Sequence, residues 1–337
     1  MSSLVSRVIA GDTRAAARLC RLVDDGASGY ADALRALYPH SRSAWLVGVT
    51  GSPGAGKSTL VSALVQAFRA EGSRVGVVAV DPSSPFSGGA ILGDRIRMQA
   101  HVSDPDVFIR SVAARGALGG LSRSTADLAC VLGAWGAKVV LIETVGVGQS
   151  ELEVARSAHT TLVVVAPGMG DEVQALKAGV LEVADVLVVN KADREGAETT
   201  AHDLESTITL GIADAGTAGA SAARRHSVAA FRGGARGEVG FLPKVVRTVA
   251  TRGEGVAELV EAMRAHRIWL ESTSEGQARW RARVHQRLVR ALRERVADRA
   301  LERLRSLIDA AAARVESGAV DPYTACDELM LELESRD

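Results

Sequence analysis

Two short stretches carry residue types at spacings suited to phosphate and base chemistry. The first is Gly51-Ser52-Pro53-Gly54-Ala55-Gly56-Lys57-Ser58, followed by Thr59. It fits G-x-x-x-x-G-K-[ST], in which glycines fold the backbone tightly enough for successive N–H groups and a helix N-terminus to face phosphate oxygens. Lys57 is then placed to reach the β and γ oxygens, and the Ser58 hydroxyl to join a Mg²⁺ shell. The second stretch is Asn190-Lys191-Ala192-Asp193. A carboxylate at Asp193 accepts two hydrogen bonds from guanine, from N1–H and from the exocyclic amine. Adenine presents the wrong donors at that edge and would leave buried polar groups unpaired. Lys191 would lie along the base, and Asn190 would tie the strand end to the phosphate loop. Together the two motifs point to GTP.

Carboxylates between these motifs complete a candidate metal site. Asp81 follows the apolar run 75–80, and Glu143 follows 139–142. Each delivers a carboxylate to the C-terminal edge of a parallel sheet, where such sheets hold ligands. Both are candidate Mg²⁺ ligands, with Asp94 as a third, for which helix capping or turn formation is the alternative. Gly146 lets the backbone approach a γ-phosphate and move once that group has gone. Gln149 is a candidate to position the attacking water, or it serves only as a switch residue. No His or Cys lies in these motifs, so catalysis rests on positioning and on charge stabilisation by Lys57, Mg²⁺ and N–H groups, with room for a partner to supply a missing group. The run 245–251, ahead of Gly253-Glu254-Gly255, is placed to offer a backbone N–H to the guanine oxygen, with Ala250 as the donor.

Such residues need strand ends to hold them. Apolar runs at 45–49, 75–80, 139–142, 161–166, 185–189 and 245–250, most followed by helical stretches, predict an α/β fold with a mostly parallel sheet covered on both faces. The phosphate loop sits between the first run and a helix over 59–70. Residues 2–40 read as short amphipathic helices ending near Tyr38-Pro39, with Leu19, Leu22, Ala33, Leu34 and Leu37 at helical spacing. Residues 212–240 are Ala/Gly/Arg-rich and aperiodic, and read as a flexible surface excursion. After His266 comes a long charged helical stretch in which Trp280, Val284, Leu288, Leu292 and Val296 recur every four residues. That stripe is a packing face, toward the same chain or toward a second copy. The expected organisation is a helical extension at 1–43, a P-loop domain at 44–265 and a helical dimerisation region at 266–337.

Composition narrows the partners. The 337 residues are 47% hydrophobic, and 40 basic residues balance 40 acidic ones. No overall field draws the chain to nucleic acid or to an anionic membrane. Cys20, Cys130 and Cys326 form neither a disulfide framework nor a zinc site. With no secretory pattern at the N-terminus and no apolar run of the ~20 residues a membrane span requires, the expected location is the reducing cytoplasm. Lysine occurs only at 57, 138, 177, 191 and 244, and two of these five fall inside the motifs.

The segments DPSSPFSGGAILGDRIRM, FIR, ALGGLSR, IETVGVGQSE, PGMGDEVQALKAGVLEVAD and NKAD occur in the order and spacing of the MeaB/ArgK/MMAA-type GTPases of the SIMIBI class. The chain resembles that family over nearly its whole length, through SGAVDPYTACDELM at 317–330. The resemblance implies a GTP-dependent chaperone of an adenosylcobalamin-dependent acyl-CoA mutase, methylmalonyl-CoA mutase or a related one. It implies a homodimer of P-loop domains with helical extensions at both ends, the C-terminal one dimerising. It further implies GTP and Mg²⁺ as cofactors, hydrolysis that is slow alone and faster with the mutase, gating of cofactor loading, and ejection of damaged cobalamin. On the matching positions, Lys57 and Ser58 are the phosphate and Mg²⁺ residues, Asp81, Asp94 and Glu143 the metal or switch carboxylates, and Asn190, Lys191 and Asp193 the guanine readers. Residues 168–177 match the loop that communicates nucleotide state to the mutase. Its Gly168, Asp171, Glu172 and Lys177 suit re-pairing between two states, and the charges equally suit the first turn of an ordinary helix.

The chain departs from the family pattern at 111–116, SVAARG, at 156–160, RSAHT, at Val249 where Ser is common, and in the length of the 212–240 excursion. These departures bear on the partner more than on the nucleotide. Two other readings are weaker on the residues. A nickel metallochaperone predicts a His- or Cys-rich tract that the chain lacks. A small-molecule kinase needs an acceptor pocket with a base, and Asn190-Lys191-Ala192-Asp193 disfavours ATP.

Overall fold

The computed structural model describes residues 1–82, 101, 103–114, 123–144, 158–168, 184–215 and 241–335. Three helices come first: α1 (Ser2–Ile9), α2 (Thr13–Asp24) and α3 (Tyr30–Ser41). Asp12 caps α2 by accepting from the Ala15 N–H at 3.0 Å. Pro39 lies inside α3, which carries on past the expected stop to Ser41. The alternating part then runs β1 (Trp45–Gly51), α4 (Lys57–Ala70), β2 (Val75–Pro82), β3 (Val107–Ala114), α5 (Arg123–Trp135), β4 (Val139–Thr144), β5 (Thr160–Val165), β6 (Val186–Asn190), α6 (Ala197–Ala215), β7 (Lys244–Thr248) and α7 (Val256–Ser272).

Among the described residues, the seven strands form one sheet in the order β3-β2-β4-β1-β5-β6-β7, and every pairing is parallel. Alternate side chains of one strand enter opposite cores, as the period of two requires. In β4, Val139 and Leu141 join the core under α4 and α7, whereas Val140 and Ile142 join the core under α1, α2, α3 and α5. That second core takes in Leu19, Ala33 and Leu37, so the N-terminal helices cover one face of the sheet. Burying each such Leu contributes about 2 kcal/mol.

Two expectations are corrected. The sequence reading placed no strand at 107–114, yet these residues form β3, the edge strand, paired with β2 from Val75↔Val107 to Pro82↔Ala114. Its apolar run is interrupted by Arg110, which donates to Asp24 of α2 and so carries its charge into the helical cover. The departing residues 111–114 therefore belong to an edge strand. Residues 212–215, expected to lie in the excursion, belong instead to α6, which extends to Ala215; 216–240 lies outside the described residues.

The chain divides into two compact units, Met1–Arg281 and Ala282–Asp337. The 43-residue α8 (Ser274–Glu316) starts in the first and continues into the second, which ends with α9 (Pro322–Ser335). In the second unit Arg314 pairs with Glu328 at 2.6 Å, and Asp321 caps α9 through the Tyr323 and Thr324 N–H groups. Val284, Leu288, Leu292 and Val296 are exposed on the single chain. Among the described residues no helix is long and apolar enough to cross a membrane. All three cysteines are free thiols.

Candidate nucleotide site

The phosphate loop leaves β1 at Gly51, whose φ of 128° brings it against the neighbouring strand. A Cβ there would stand 2.0 Å from the Val164 carbonyl oxygen of β5, so only glycine fits. The loop is pinned to β5 by the Ser52 N–H donating to the same oxygen at 3.2 Å, and it turns through Pro53, Gly54 and Ala55. Gly56, at φ 89°, then opens α4. Lys57 is buried, and its Nζ donates to the Gly51 and Ser52 carbonyl oxygens at 2.7 and 3.0 Å. The ammonium is thus held inside the loop it is expected to serve. Thr59 follows on the first turn of α4.

Ser58 meets Glu143 across the sheet. Register sets Glu143 beside Val49 of β1 and Ala79 of β2, at the C-terminal edge, where it is buried. The Ser58 hydroxyl donates to Glu143 Oε1 at 2.6 Å. Next to this pair, the Thr144 hydroxyl donates to Thr50 Oγ1 at 3.2 Å, joining β4 to β1. Of the other metal candidates, Asp81 lies near the end of β2 on the same edge, its side chain outside the description, and Asp94 is outside the described residues. Among the described residues no group of three or more His, Cys, Asp or Glu is placed to hold a metal ion. Of the four metal candidates, Ser58 and Glu143 are the two whose side chains are described, and they are in contact.

The base motif closes over the loop from the other side. Asn190 ends β6, buried, with Nδ2 donating to the Ala55 carbonyl at 2.8 Å. Its Oδ1 accepts from the Thr248 hydroxyl at 3.1 Å and from the Ala250 N–H at 3.2 Å. One side chain therefore ties together the phosphate loop, the end of β6 and the loop after β7. Gly56 is needed for this, since a Cβ there would lie 2.5 Å from Asn190 Nδ2. Lys191 adopts φ 58°, among the described residues the one non-glycine residue with positive φ, and its Nζ donates to the Gly54 carbonyl at 2.6 Å. Such a conformation is costly for a lysine and marks a backbone held by its surroundings. Asp193 follows exposed, with the Arg252 guanidinium 3.9 Å away. The Ala250 N–H assigned to the guanine oxygen is engaged by Asn190 in this structure.

The structure therefore brings together Gly51, Ser52, Gly54, Ala55, Gly56, Lys57, Ser58, Glu143, Asn190, Lys191 and Ala250. Gly146 and Gln149 lie outside the described residues, as do Asp171, Glu172 and Lys177; Gly168 is exposed after β5, at φ 84°. Sequence reasoning missed Thr248 and Arg252. Both lie in TVATRGEG, the run read for Ala250 alone.

Comparison with known proteins returns a consistent set. The family model described as "Methylmalonyl Co-A mutase-associated GTPase MeaB" matches residues 17–305. A Pyrococcus abyssi protein provisionally named a GTPase is 41% identical, covering 99% of this chain and 97% of its own. The Escherichia coli "GTPase ArgK" is 47% identical over 48% of each chain. The mouse "Methylmalonic aciduria type A homolog, mitochondrial" is 33% identical over 86% of this chain and 66% of its own. Among solved structures, one titled "Crystal structure of LAO/AO transport system kinase" superposes with a TM-score of 0.67 at 25% identity, covering 99% of this chain and 97% of the other.

Proposed function

Because this chain belongs to the family of methylmalonyl-CoA mutase-associated GTPases named MeaB and is a GTP hydrolase, we propose that it serves as a GTP-dependent chaperone of a cobalamin-dependent acyl-CoA mutase. In that role it gates adenosylcobalamin loading and protects or reactivates methylmalonyl-CoA mutase or a related enzyme. The family description and the name of the mouse relative support the client class. The observation that carries the nucleotide reading is the Asn190 latch, which joins the phosphate loop to the strand end bearing Lys191 and Asp193.

Lys57 exchanges the Gly51 and Ser52 carbonyls for β and γ phosphate oxygens, while loop N–H groups take the remaining oxygens. Asp193 accepts from the guanine N1–H and amine, Lys191 lies along the base, and Asn190 releases the Ala250 N–H to the base oxygen as the loop adjusts. The donor set fits Mg²⁺, because the Ser58 hydroxyl and the buried Glu143 carboxylate are hard oxygen ligands already in contact. Ser58 and Glu143, with Asp81 and Asp94, would hold the ion or its waters, and the ion supplies positive charge to the phosphates. Gly146, Gln149 and the 168–177 loop, with Asp171, Glu172 and Lys177, form the switch that reports nucleotide state to the mutase. The helical C-terminal region dimerises through its exposed Leu288 and Leu292 stripe.

Phosphate release from GTP and from ATP, each with and without the adenosylcobalamin-dependent mutase of the same organism, tests this reading. GTP-selective turnover that rises with the mutase is expected. Turnover that the mutase leaves unchanged, with no complex formed, would refute the chaperone role and leave the GTPase activity standing.

A further inference from the structure

A second cleft lies at the opposite edge of the sheet, where β1 and β5 begin, roughly 20 Å from the phosphate loop along the seven residues of β1. Its volume is about 420 Å³, within the range of small-molecule sites, and its walls include Arg42, His159, Arg267, Leu270, Trp280 and Arg281. All of these belong to the first compact unit.

The charges in this cleft are unbalanced. Arg267 is held in place, with Nε donating to Glu271 at 2.8 Å and its guanidinium over the Trp45 ring at 5.3 Å. Arg42 and Arg281 are exposed at the rim and have no hydrogen bond or ion pair among the described residues. Three guanidiniums against the one Glu271 carboxylate leave two positive charges around a concave wall. Arginine is the side chain best shaped to fork onto phosphate or carboxylate oxygens.

The remaining wall is aromatic and apolar. Trp280 is half-buried, and the His159 ring meets it edge-on at 4.5 Å between centroids. His159 Nδ1 accepts from the Leu46 N–H at 3.0 Å, which fixes the ring orientation and leaves the proton on Nε2. Leu270 is buried beside them. A planar ring would find an aromatic and apolar wall here, and a doubly charged anion would find the Arg42 and Arg281 guanidiniums.

We propose that this cleft binds a small dianion carrying a planar ring, of the heteroaromatic phosphate monoester class, with the phosphate between Arg42 and Arg281 and the ring against Trp280. The site is separate from the GTP site and does not use its residues.

The test titrates full-length, GDP-saturated protein with adenosine 5′-monophosphate, adenosine and inorganic phosphate, read by tryptophan fluorescence and by equilibrium dialysis of labelled probe. The monophosphate is expected to bind, with adenosine and inorganic phosphate each at least about tenfold weaker, because each lacks one half of the recognition. The Arg42→Ala/Arg281→Ala double variant is expected to lose at least about tenfold in affinity with unchanged GTP turnover. Trp280→Phe is expected to bind more weakly and to lose the fluorescence response. The proposal is overturned if the wild type does not bind the monophosphate, if the double variant binds it as well as the wild type, if inorganic phosphate binds as tightly, or if binding releases the GDP.

Discussion

The Ser58 hydroxyl lies 2.6 Å from Glu143 Oε1, two residues separated by 85 positions in the chain and joined only because β1 and β4 are neighbours. A serine on the first turn of α4 and a carboxylate at the end of β4 thereby become one unit. Replacing the acid by its neutral amide keeps shape and volume, removes the charge and exchanges one acceptor oxygen for an NH2 donor. Glu143→Gln is expected to retain GDP binding and to lower kcat for GTP by about tenfold or more, the loss that follows when a metal shell or a transition-state charge partner is weakened. Single-turnover phosphate release checks this, and an unchanged kcat would show that Glu143 only positions Ser58.

Asp193 is predicted to set the base preference. Two charge-assisted hydrogen bonds to guanine are together worth roughly 3 kcal/mol or more, about a hundredfold in affinity. Asp193→Asn should lose GTP affinity by about that factor and gain affinity for xanthosine triphosphate, whose extra carbonyl accepts from the new amide. Competition binding with GTP, XTP and ATP reads the result, and undiminished GTP binding would remove Asp193 from the base site.

The thiols should separate by burial. Burial pushes the Cys20 thiol up to about 12, whereas Cys326 is exposed on α9. Only thiolate reacts with an alkylating reagent. At pH 8 the native protein should therefore label at Cys326 within minutes and at Cys20 only after denaturation, as peptide mass mapping would show.

Acid should destabilise the protein through ion pairs on the phosphate-loop helix and at the start of α2. Hydrogen bonding from Arg69 of α4, reinforced by the Asp106 N–H, holds the Asp104 carboxyl below its ordinary 3.8. Asp12 is held low by the Ala15 N–H and by Arg7. A carboxyl with a depressed folded-state pKa stabilises the fold above its unfolded value, and that contribution disappears as pH falls through the folded value. The thermal midpoint should thus hold steady from pH 7 to about 5 and drop below about 4, with a shallower drop in Arg69→Ala. An equal drop in that variant would show that the Asp104 pair contributes nothing.

The sequence by itself determined what local chemistry can specify. Gly51 through Ser58 announce a phosphate loop because backbone N–H groups can surround an anion only where glycines allow it. Asn190 through Asp193 carry the donor and acceptor pattern from which a guanine site is expected. Continuous apolar runs such as 139–142 announce strands buried on both faces. Tertiary structure decided the rest, since it depends on which strands become neighbours. The strand order sets Glu143 beside Ser58 and lets Asn190 span the phosphate loop and the loop after β7. It makes 107–114 an edge strand, whose Arg110 breaks the apolar signal because a helix supplies Asp24 as its partner. It also turns the N-terminal helices into the cover of one sheet face. No local pattern encodes these placements, because each is a contact between segments whose separation in sequence says nothing of their separation in space.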